Sequence, residues 1–326
     1  MSGAGYRQRG HRVLLWKFMV KISDLLENTP TVSFEFFPPK DDESTRSLEK
    51  TLHELEPLDP TFISVTYGAG GTTRDATRDL VLELDRNRAY PAMPHLTCIG
   101  HTEAELRSLI TDYASNGIEN VLALAGDPPA DGSEAVGDFT YATELVELLR
   151  DIGDFGIGVA AFPELHPRSE TTRADRQRLA DKLCQADFGV TQFFFDTDPY
   201  FRMVDDLAKL GCTTPVLPGV IAPLSPKTIR RFAALNASRV PPALFASLEA
   251  ATPDERYQSL SISPPSSARN FSTPALRAST STPSTSPRPP STSTNVWAFR
   301  TISSLGGRVV PQLDVLLQGP SVIVRP

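Results

Sequence analysis

Between residues 31 and 235 the chain alternates short apolar runs with longer polar segments, and this alternation restricts the folds that it can adopt. Seven apolar runs are predicted to be strands, at 31–36, 62–67, 93–98, 120–124, 156–161, 188–195 and 216–221. Each is followed by a segment with helical character, at 43–55, 74–88, 102–116, 140–151, 170–186, 199–210 and 226–236. This order predicts a parallel sheet, and the uninterrupted apolar runs are typical of strands with both faces covered.

Seven strand–helix units favour an α/β fold of the (β/α)8 TIM barrel type. A doubly wound sheet that binds a dinucleotide typically has Gly-x-Gly-x-x-Gly after its first strand, and this motif does not occur there. The eighth unit should follow residue 255, but of the 40 residues from 261 to 300, 24 are Ser, Thr or Pro. Such a tract cannot bury enough apolar surface to offset its chain entropy. We therefore expect a barrel without a normal eighth strand and helix, open between strands 7 and 1, and a disordered C-terminal tail.

Three regions are predicted. Residues 1–18 are basic and irregular, and we expect a disordered N-terminal extension with Met19 as the true start. Residues 19–256 form the catalytic barrel, and residues 257–326 form the Ser/Thr/Pro-rich tail. With plausible GC-rich codons, a shift of one nucleotide can convert 270–299 into an amphipathic helix, a glycine turn, an apolar strand and a further helix, which is the missing eighth unit. We interpret the tail as out-of-frame translation that begins near Leu260.

Composition excludes some classes of protein. The formal net charge of −7 argues against a general nucleic-acid binder, because phosphate contacts need basic patches. No apolar run approaches the roughly 18 residues of a membrane span. The three cysteines are far apart and have no metal-ligand spacing, so we expect no metal site, reduced thiols and a cytoplasmic location.

Glu35 is the first candidate for a functional residue, because it stands in the middle of an apolar strand. Burying a carboxylate is costly unless it has a task or a partner. Phe34, Phe36 and Phe37 are expected to enclose it, and an apolar setting favours the neutral form that a general acid needs. A strand glutamate that points to solvent is the alternative, and this segment alone does not decide between them.

Polar residues also mark the ends of other predicted strands. They are Thr66 and Tyr67 before a glycine-rich loop, His95, Asp127 and Gln192. Each could be structural, since a buried histidine is more often a hydrogen-bonded core residue and an aspartate before two prolines can form a turn. The C-terminal ends of barrel strands share one rim, which carries the active site in this fold. Their coincidence at one rim therefore predicts an active site.

Six motifs resemble, in order and approximate spacing, those of the 5,10-methylenetetrahydrofolate reductase family, in its bacterial catalytic-domain type. They are Phe34-Glu35-Phe36-Phe37-Pro38-Pro39, Val65-Thr66-Tyr67-Gly68-Ala69, Pro94-His95-Leu96-Thr97-Cys98, Gly126-Asp127, Pro163-Glu164-Leu165-His166-Pro167 and Thr191-Gln192-Phe193-Phe194-Phe195-Asp196. The resemblance covers residues 22 to about 256. It implies a TIM barrel that binds FAD and reduces methylenetetrahydrofolate to 5-methyltetrahydrofolate with NADH or NADPH. In this family hydride passes through the flavin in a ping-pong reaction, and the product feeds methionine synthesis.

The resemblance also implies roles for single residues. Glu35 would be the general acid that protonates the bridging nitrogen of the folate, and Asp127 would tune the flavin and stabilise the cationic folate. Substrate-binding positions would be Glu35, Asp127, Gln192 and Phe232. Positions that match FAD contacts are Thr66, Tyr67, Ala69, His95, Ala125, Gly126, Asp127, Ala142, Phe162, His166, Asp175, Arg178 and Lys182.

Some positions depart from the family pattern. Ala125 and Phe162 stand where some relatives have Arg and Tyr, and each change removes a hydrogen bond to FAD. Arg178 and Asp181 stand where some members have Asn and Arg. The resemblance leaves the choice between NADH and NADPH open, and also whether the chain forms a homo-oligomer. An inactive product of a frame-shifted gene, with at most weak FAD or folate binding, is the main alternative. A folate-binding methyltransferase barrel would need a corrinoid or zinc partner.

Overall fold

The computed structural model describes residues 20–28, 31–67, 73–127, 136–221, 226–236 and 238–251, and three short strands nearer the C-terminus. The helices are α1 Ile22–Asn28, α2 Asp42–Leu55, α3 Arg74–Asn87, α4 Glu103–Ser115, α5 Ala142–Ile152, α6 Thr172–Leu183, α7 Thr197–Lys209, α8 Pro226–Asn236 and α9 Pro242–Ala250. The first eight strands are β1 Val32–Phe36, β2 Phe62–Val65, β3 Ala92–Thr97, β4 Asn120–Leu124, β5 Gly156–Ala161, β6 Phe188–Thr191, β7 Val216–Leu217 and β8 Gly219–Ile221. The last three are β9 Arg300–Thr301, β10 Gln312–Leu313 and β11 Val322–Arg325.

The main sheet is parallel and confirms the predicted TIM-like α/β fold. Its strand order is β7-β6-β5-β4-β3-β2-β1-β11-β8. β7 and β8 together correspond to the seventh predicted strand, which is interrupted at Pro218. Proline has no N–H to donate to the ladder, so a break at this residue is expected.

The place of the eighth strand is taken by β11, from the end of the chain. β11 pairs with β1 through Val32 and Val322, and with β8 through Ile323 and Gly219, in both cases in parallel. The expected gap between strands 7 and 1 is therefore spanned. The prediction that no normal eighth unit follows strand 7 agrees with this topology. Apart from the three short strands, the predicted disordered tail lies outside the described residues, as does the predicted extension 1–18.

The core has two layers. The larger lies between strands and helices and includes Phe34, Val65 and Leu145. The smaller lies inside the sheet, where Ile22 of α1 packs with residues such as Phe62 and Phe188. Helix α1 thus closes the end of the barrel at which the strands begin. The opposite end, where the strands finish, carries the predicted functional residues.

Several loops at that end pass into helices through side-chain caps, which fix where each helix begins. Thr102 and Glu105 form a capping box at α4. Asp196 caps α7 by accepting from the Asp198 N–H at 3.1 Å. Within the described ranges, every helix is too short or too polar to cross a membrane.

Candidate active site

Glu35 and His95 lie together inside the barrel. They project from β1 and β3, on either side of β2, and Glu35 Oε2 lies 3.5 Å from His95 Nε2. Both are buried, with 4% and 6% of their surfaces exposed. Glu35 is therefore not a solvent-facing strand residue, and the imidazole beside it provides a polar group with which it can share a proton.

The expected enclosure of Glu35 by phenylalanines is wrong. Phe34 and Phe36 pack in the outer layer, and Phe37 is 66% exposed. Successive side chains of a strand point to opposite faces, so the neighbours of Glu35 in sequence cannot surround it. Its burial comes from the interior of the barrel, where its register partner on β2 is Ser64.

The ends of β2 and β3 present hydroxyl groups at the rim. Thr66 and Thr97 are both buried, and the Thr66 carbonyl accepts from Thr77 Oγ1 at 2.9 Å. Tyr67 Oη lies 3.1 Å from His101 Nε2, and burial raises the pKa of the Tyr67 phenol to about 12. This phenol stays protonated at neutral pH and can donate a hydrogen bond. Ala69, in the loop that follows, lies outside the described residues.

Gly126, just beyond the end of β4, has a backbone conformation that suits glycine. Its φ is +92°, and a Cβ there would lie 3.0 Å from Thr97 Cβ. The preceding Ala125 carbonyl accepts from the Ile99 N–H at 2.9 Å, which ties this turn to the end of β3. The absence of a side chain leaves backbone at the rim open to close approach by a ligand. Asp127 follows directly and is exposed.

The loop after β5 brings His166 next to Phe162. Their rings meet edge to face with centroids 4.5 Å apart, and His166 Nδ1 accepts from the Arg168 N–H at 3.1 Å. Burial lowers the pKa of His166, partly opposed by Asp175. The imidazole is therefore neutral at pH 7, and Nε2 carries its proton and can donate to a ligand.

Helix α6 places Asp175 and Lys182 close enough to interact. Asp175 is buried, and its Oδ1 accepts from Ser169 Oγ at 2.9 Å. Burial lowers the pKa of Lys182 to about 8, and Asp175 opposes this shift. A desolvated ammonium beside a fixed carboxylate is suited to an anionic group and a hydroxyl-bearing group side by side. Arg178 is exposed on the same helix.

The remaining predicted residues are less completely placed. Ala142 is buried as the first residue of α5. Gln192 follows β6, is partly buried, and accepts from the Phe193 N–H at 3.1 Å through its Oε1. Phe232 lies in α8, but its side chain is outside the described part of the structure.

Arg176 is a functional candidate that sequence reasoning missed. It is buried on α6 and bonds to the loop after β5. With Leu179, Ala180 and Leu183 it follows the i, i+3, i+4, i+7 spacing of a buried helix face. An arginine at a position of an otherwise apolar helix face was the sequence signal that could have identified Arg176 as buried.

These residues fit a large cofactor with sugar and phosphate groups. The rim offers neutral donors at Tyr67 and His166, a cation at Lys182 and bare backbone at Gly126, while Asp175 can accept from hydroxyl groups. Across the described ranges, no cluster of three or more His, Cys, Asp or Glu side chains has the arrangement of a metal site. The rim with the buried Glu35–His95 pair beneath it can therefore hold an organic cofactor and deliver a proton.

Comparison with known proteins points to one family. The sequence profile of the family described as Methylenetetrahydrofolate reductase matches residues 21–263. The 5,10-methylenetetrahydrofolate reductase of Escherichia coli (strain K12) is 40% identical over 212 residues, which cover 64% of this chain and 70% of that protein. Methylenetetrahydrofolate reductase (NADH) 1 of Arabidopsis thaliana is 36% identical over 249 residues, which cover 72% of this chain and 42% of that protein.

A solved structure supports the fold. An uncharacterized protein from Clostridium thermocellum that binds two copies of 5-methyl-5,6,7,8-tetrahydrofolic acid superposes with a TM-score of 0.52. The match covers 76% of this chain and 83% of that chain at 16% sequence identity. At this identity the similarity describes the architecture alone.

Proposed function

We propose a flavin-dependent reaction for this chain, which belongs to the methylenetetrahydrofolate reductase family. Family membership assigns it as an oxidoreductase that reduces 5,10-methylenetetrahydrofolate. The proposal adds that FAD is the bound cofactor, that NADH or NADPH donates the hydride, and that the two substrates react in turn. The product is 5-methyltetrahydrofolate, which supplies methionine synthesis. The observation that carries this proposal is the buried Glu35 carboxyl, 3.5 Å from His95 and below a polar rim.

Glu35 is the proposed general acid. Its proton passes to the bridging nitrogen of the folate, whose five-membered ring opens as the bond between that nitrogen and the methylene carbon breaks. The methylene carbon becomes part of an iminium cation and then accepts hydride to become a methyl group. A general acid must come within hydrogen-bond reach of the atom that it protonates, and Glu35 lies inside the barrel beneath the rim that would hold the folate. His95, in contact with Glu35, would orient the carboxyl.

Asp127 is proposed to stabilise the positive charge that develops on the folate. It follows Gly126 at the rim and has an electrostatic interaction with His166. A negative charge near a developing cation lowers the activation barrier to its formation. Gln192 and Phe232 would contact the folate or the nicotinamide ring.

Bound FAD would supply the hydride-carrying chemistry, and this chain's residues would hold it. Lys182 would face the pyrophosphate, Asp175 would accept from ribose hydroxyls, and the backbone at Gly126 would approach a ring closely. Thr66, Tyr67, His95, Ala125, Ala142, Phe162, His166 and Arg178 complete the proposed set within the described residues. Ala69 belongs to the same proposal.

The second candidate is a protein that retains the site motifs but does not turn over. Two observations favour it. The family match ends at residue 263, close to the predicted change of frame near Leu260. The eighth strand of the barrel comes from Val322–Arg325, and not from the residues directly after the seventh unit. In this case FAD and folate would bind weakly or not at all.

The cytoplasm is the proposed location, consistent with three cysteines that form no disulfide. The name of the Arabidopsis relative contains NADH, which makes NADH the first donor to test. We also propose that the chain can form a homo-oligomer, which a measurement of its molecular mass in solution tests.

Product analysis separates the two candidates. The purified, folded chain is supplied with FAD, NADH and methylenetetrahydrofolate, and 5-methyltetrahydrofolate is measured by chromatography. The proposed function predicts one methyl product for each NADH consumed. A folded chain that forms no product with either NADH or NADPH would contradict it and favour the second candidate.

A further inference from the structure

Arg176 is a buried charged side chain whose two terminal nitrogens, Nη1 and Nη2, bond to three acceptors. Only 6% of its surface is exposed. Nη1 donates to the Phe162 carbonyl at 3.1 Å and to Asp175 Oδ2 at 2.7 Å, and Nη2 donates to the Pro163 carbonyl at 2.6 Å. Taking a guanidinium out of water is costly, so a group held in this way usually has a structural or functional task.

The bond to Asp175 is unusual for two residues that are adjacent on a helix. Side chains at i and i+1 do not face each other, so the guanidinium must fold back to reach its neighbour. Ser169 Oγ donates to the other oxygen of the same carboxylate. Both oxygens of Asp175 are therefore fixed, one by Arg176 and the other by the loop after β5.

The two carbonyl groups that accept from Arg176 belong to that loop. The Phe162 ring packs edge to face on the His166 ring, and His166 is oriented by the Arg168 N–H. Fixing the backbone at Phe162 and Pro163 thus fixes the position from which the Phe162 ring projects, and the His166 ring packs against it. One guanidinium joins helix α6 and this loop into a single arrangement.

We propose that Arg176 is a positioning residue that holds Asp175, Phe162 and His166 in the arrangement that binds FAD. This inference rests on the proposed function, because it assumes that these three residues face the cofactor. A planar guanidinium can meet three acceptors at fixed angles, whereas the single ammonium of lysine cannot. The identity of the residue matters here, and not only its charge.

Arg176 acts on His166 indirectly, through the Asp175 carboxylate that it holds. The charged groups that act on His166 are Asp175 and Asp127, which favour its protonation, and Lys182 and Arg168, which oppose it. Removing Arg176 takes away the cation that bonds to Asp175 Oδ2, so the negative charge of Asp175 acts more strongly on His166. The pKa of His166 should therefore rise, whether or not FAD is bound.

The test compares Arg176→Met and Arg176→Lys with Arg173→Met, a change at an exposed arginine of the same helix. Arg176 and Pro163 both line a cavity of about 270 Å³, so we expect water to reach the Pro163 carbonyl that the change frees and the methionine variant to fold. Circular dichroism and thermal melting establish that each variant is folded. FAD binding is measured by the quenching of flavin fluorescence, and the pKa of His166 is measured by NMR in the apoprotein.

We expect the dissociation constant for FAD to rise about tenfold or more in Arg176→Met, as for the loss of an outer-shell partner of a ligand. Arg176→Lys should give an intermediate value and Arg173→Met the parental one. The pKa of His166 should rise in Arg176→Met alone. If a folded Arg176→Met binds FAD as the parent does, the proposal is overturned while the proposed function stands.

A parent chain that binds no FAD would instead contradict the proposed function and, with it, the flavin part of this inference. The pKa of His166 in the variants then still tests the rest of the inference, namely that Arg176 controls the setting of Asp175 and His166. A His166 pKa that is unchanged in Arg176→Met would show that Arg176 does not control the setting of Asp175 and His166. Should Arg176→Met fail to fold, the FAD affinity of Arg176→Lys decides, and a parental value overturns the proposal.

Discussion

The carboxyl of Glu35 on β1 reaches the imidazole of His95 on β3 across the intervening strand, with 3.5 Å between Oε2 and Nε2. This contact sets the two residues in one buried polar pair inside an otherwise close-packed barrel. A proton donor that must be protonated again after each turnover benefits from such a neighbour.

The pair should act as a unit in catalysis. We expect Glu35→Gln and His95→Gln each to lower kcat/KM for methylenetetrahydrofolate, and the double variant to fall by less than the product of the two effects. Residues in contact show coupling energies of about 0.5–3 kcal/mol in such cycles. The control cycle pairs Glu35→Gln with Arg107→Gln, an exposed residue of α4, and its effects should multiply. Independent effects in the Glu35–His95 cycle would contradict the pairing.

The sequence predicted a buried strand around Glu35, but it left the orientation of the Glu35 side chain open and did not identify its surroundings. The run of phenylalanines correctly indicated a buried strand, while the alternation of side chains sends Phe34 and Phe36 to the other face. The partner, His95, comes from two strands away, a relation that only the strand order defines. Both residues stand near strand ends, which is why the rim was predictable and the contact was not.

The parts that sequence reasoning missed depend on long-range contacts. Arg176 follows the spacing of a buried helix face, but its partners are main-chain carbonyl groups at the start of the loop that leads into its helix, and a sequence pattern does not reveal such contacts. The filling of the eighth strand position by Val322–Arg325 has no local signal, since any short β-branched segment can pair with two open edges.

Substitution of Gly126 should lower the affinity for FAD by more than its effect on the stability of the fold explains. Gly126→Ala places a Cβ 3.0 Å from Thr97 Cβ at a φ of +92°. We expect a loss of about 1–3 kcal/mol in the free energy of unfolding and a clear loss of FAD affinity. Denaturant unfolding and flavin fluorescence measure the two effects.

Gly211→Ala is the matched control for this variant. Gly211 has a φ of +78°, but its added Cβ would meet nothing within 4 Å. It should cost about 1 kcal/mol of backbone strain and leave FAD affinity unchanged. Equal FAD affinities in the two glycine variants would show that the turn at Gly126 does not border the cofactor.

FAD binding should depend on pH through Lys182. Burial lowers the pKa of this ammonium to about 8, so it is charged below that pH and neutral above it. Affinity for the anionic pyrophosphate should therefore fall as pH rises through about 8. Lys182→Met should bind FAD about tenfold less tightly at pH 7, as expected for loss of a charged hydrogen bond, and should lose this pH dependence.

The contribution of Lys182 to folding stability changes with pH in the opposite direction to its contribution to FAD affinity. An unfolded lysine keeps its proton to higher pH than Lys182 in the folded chain, so the unfolded state binds more protons between pH 8 and the ordinary lysine pKa of 10.5. The contribution of Lys182 to the stability of the apoprotein therefore rises with pH in that window. Lys50→Met, at an exposed position of α2, is the control and should change neither profile. A parental pH profile for FAD binding in Lys182→Met would contradict this assignment.

Asn120 should hold the closed end of the barrel. Its Oδ1 accepts from the Ile22 N–H at 2.8 Å, and its Nδ2 donates to the Val20 carbonyl at 3.1 Å. Asn120→Ala leaves both backbone groups without this partner and should lower the free energy of unfolding by about 1–3 kcal/mol. Asn87→Ala, at an exposed position of α3, should cost far less in the same denaturant titration. Equal losses would show that α1 is not fixed through Asn120.

The most direct test of the account separates the two half-reactions of Glu35→Gln by anaerobic stopped-flow absorbance. The account predicts that NADH bleaches the bound flavin at the parental rate, because that step needs no proton for the folate. Reoxidation by methylenetetrahydrofolate should then be slower by about 100-fold or more, the usual contribution of a general acid. Glu147→Gln, at an exposed glutamate of α5, should match the parent in both steps. If Glu35→Gln slows both half-reactions equally, Glu35 supports the structure of the site and is not its acid.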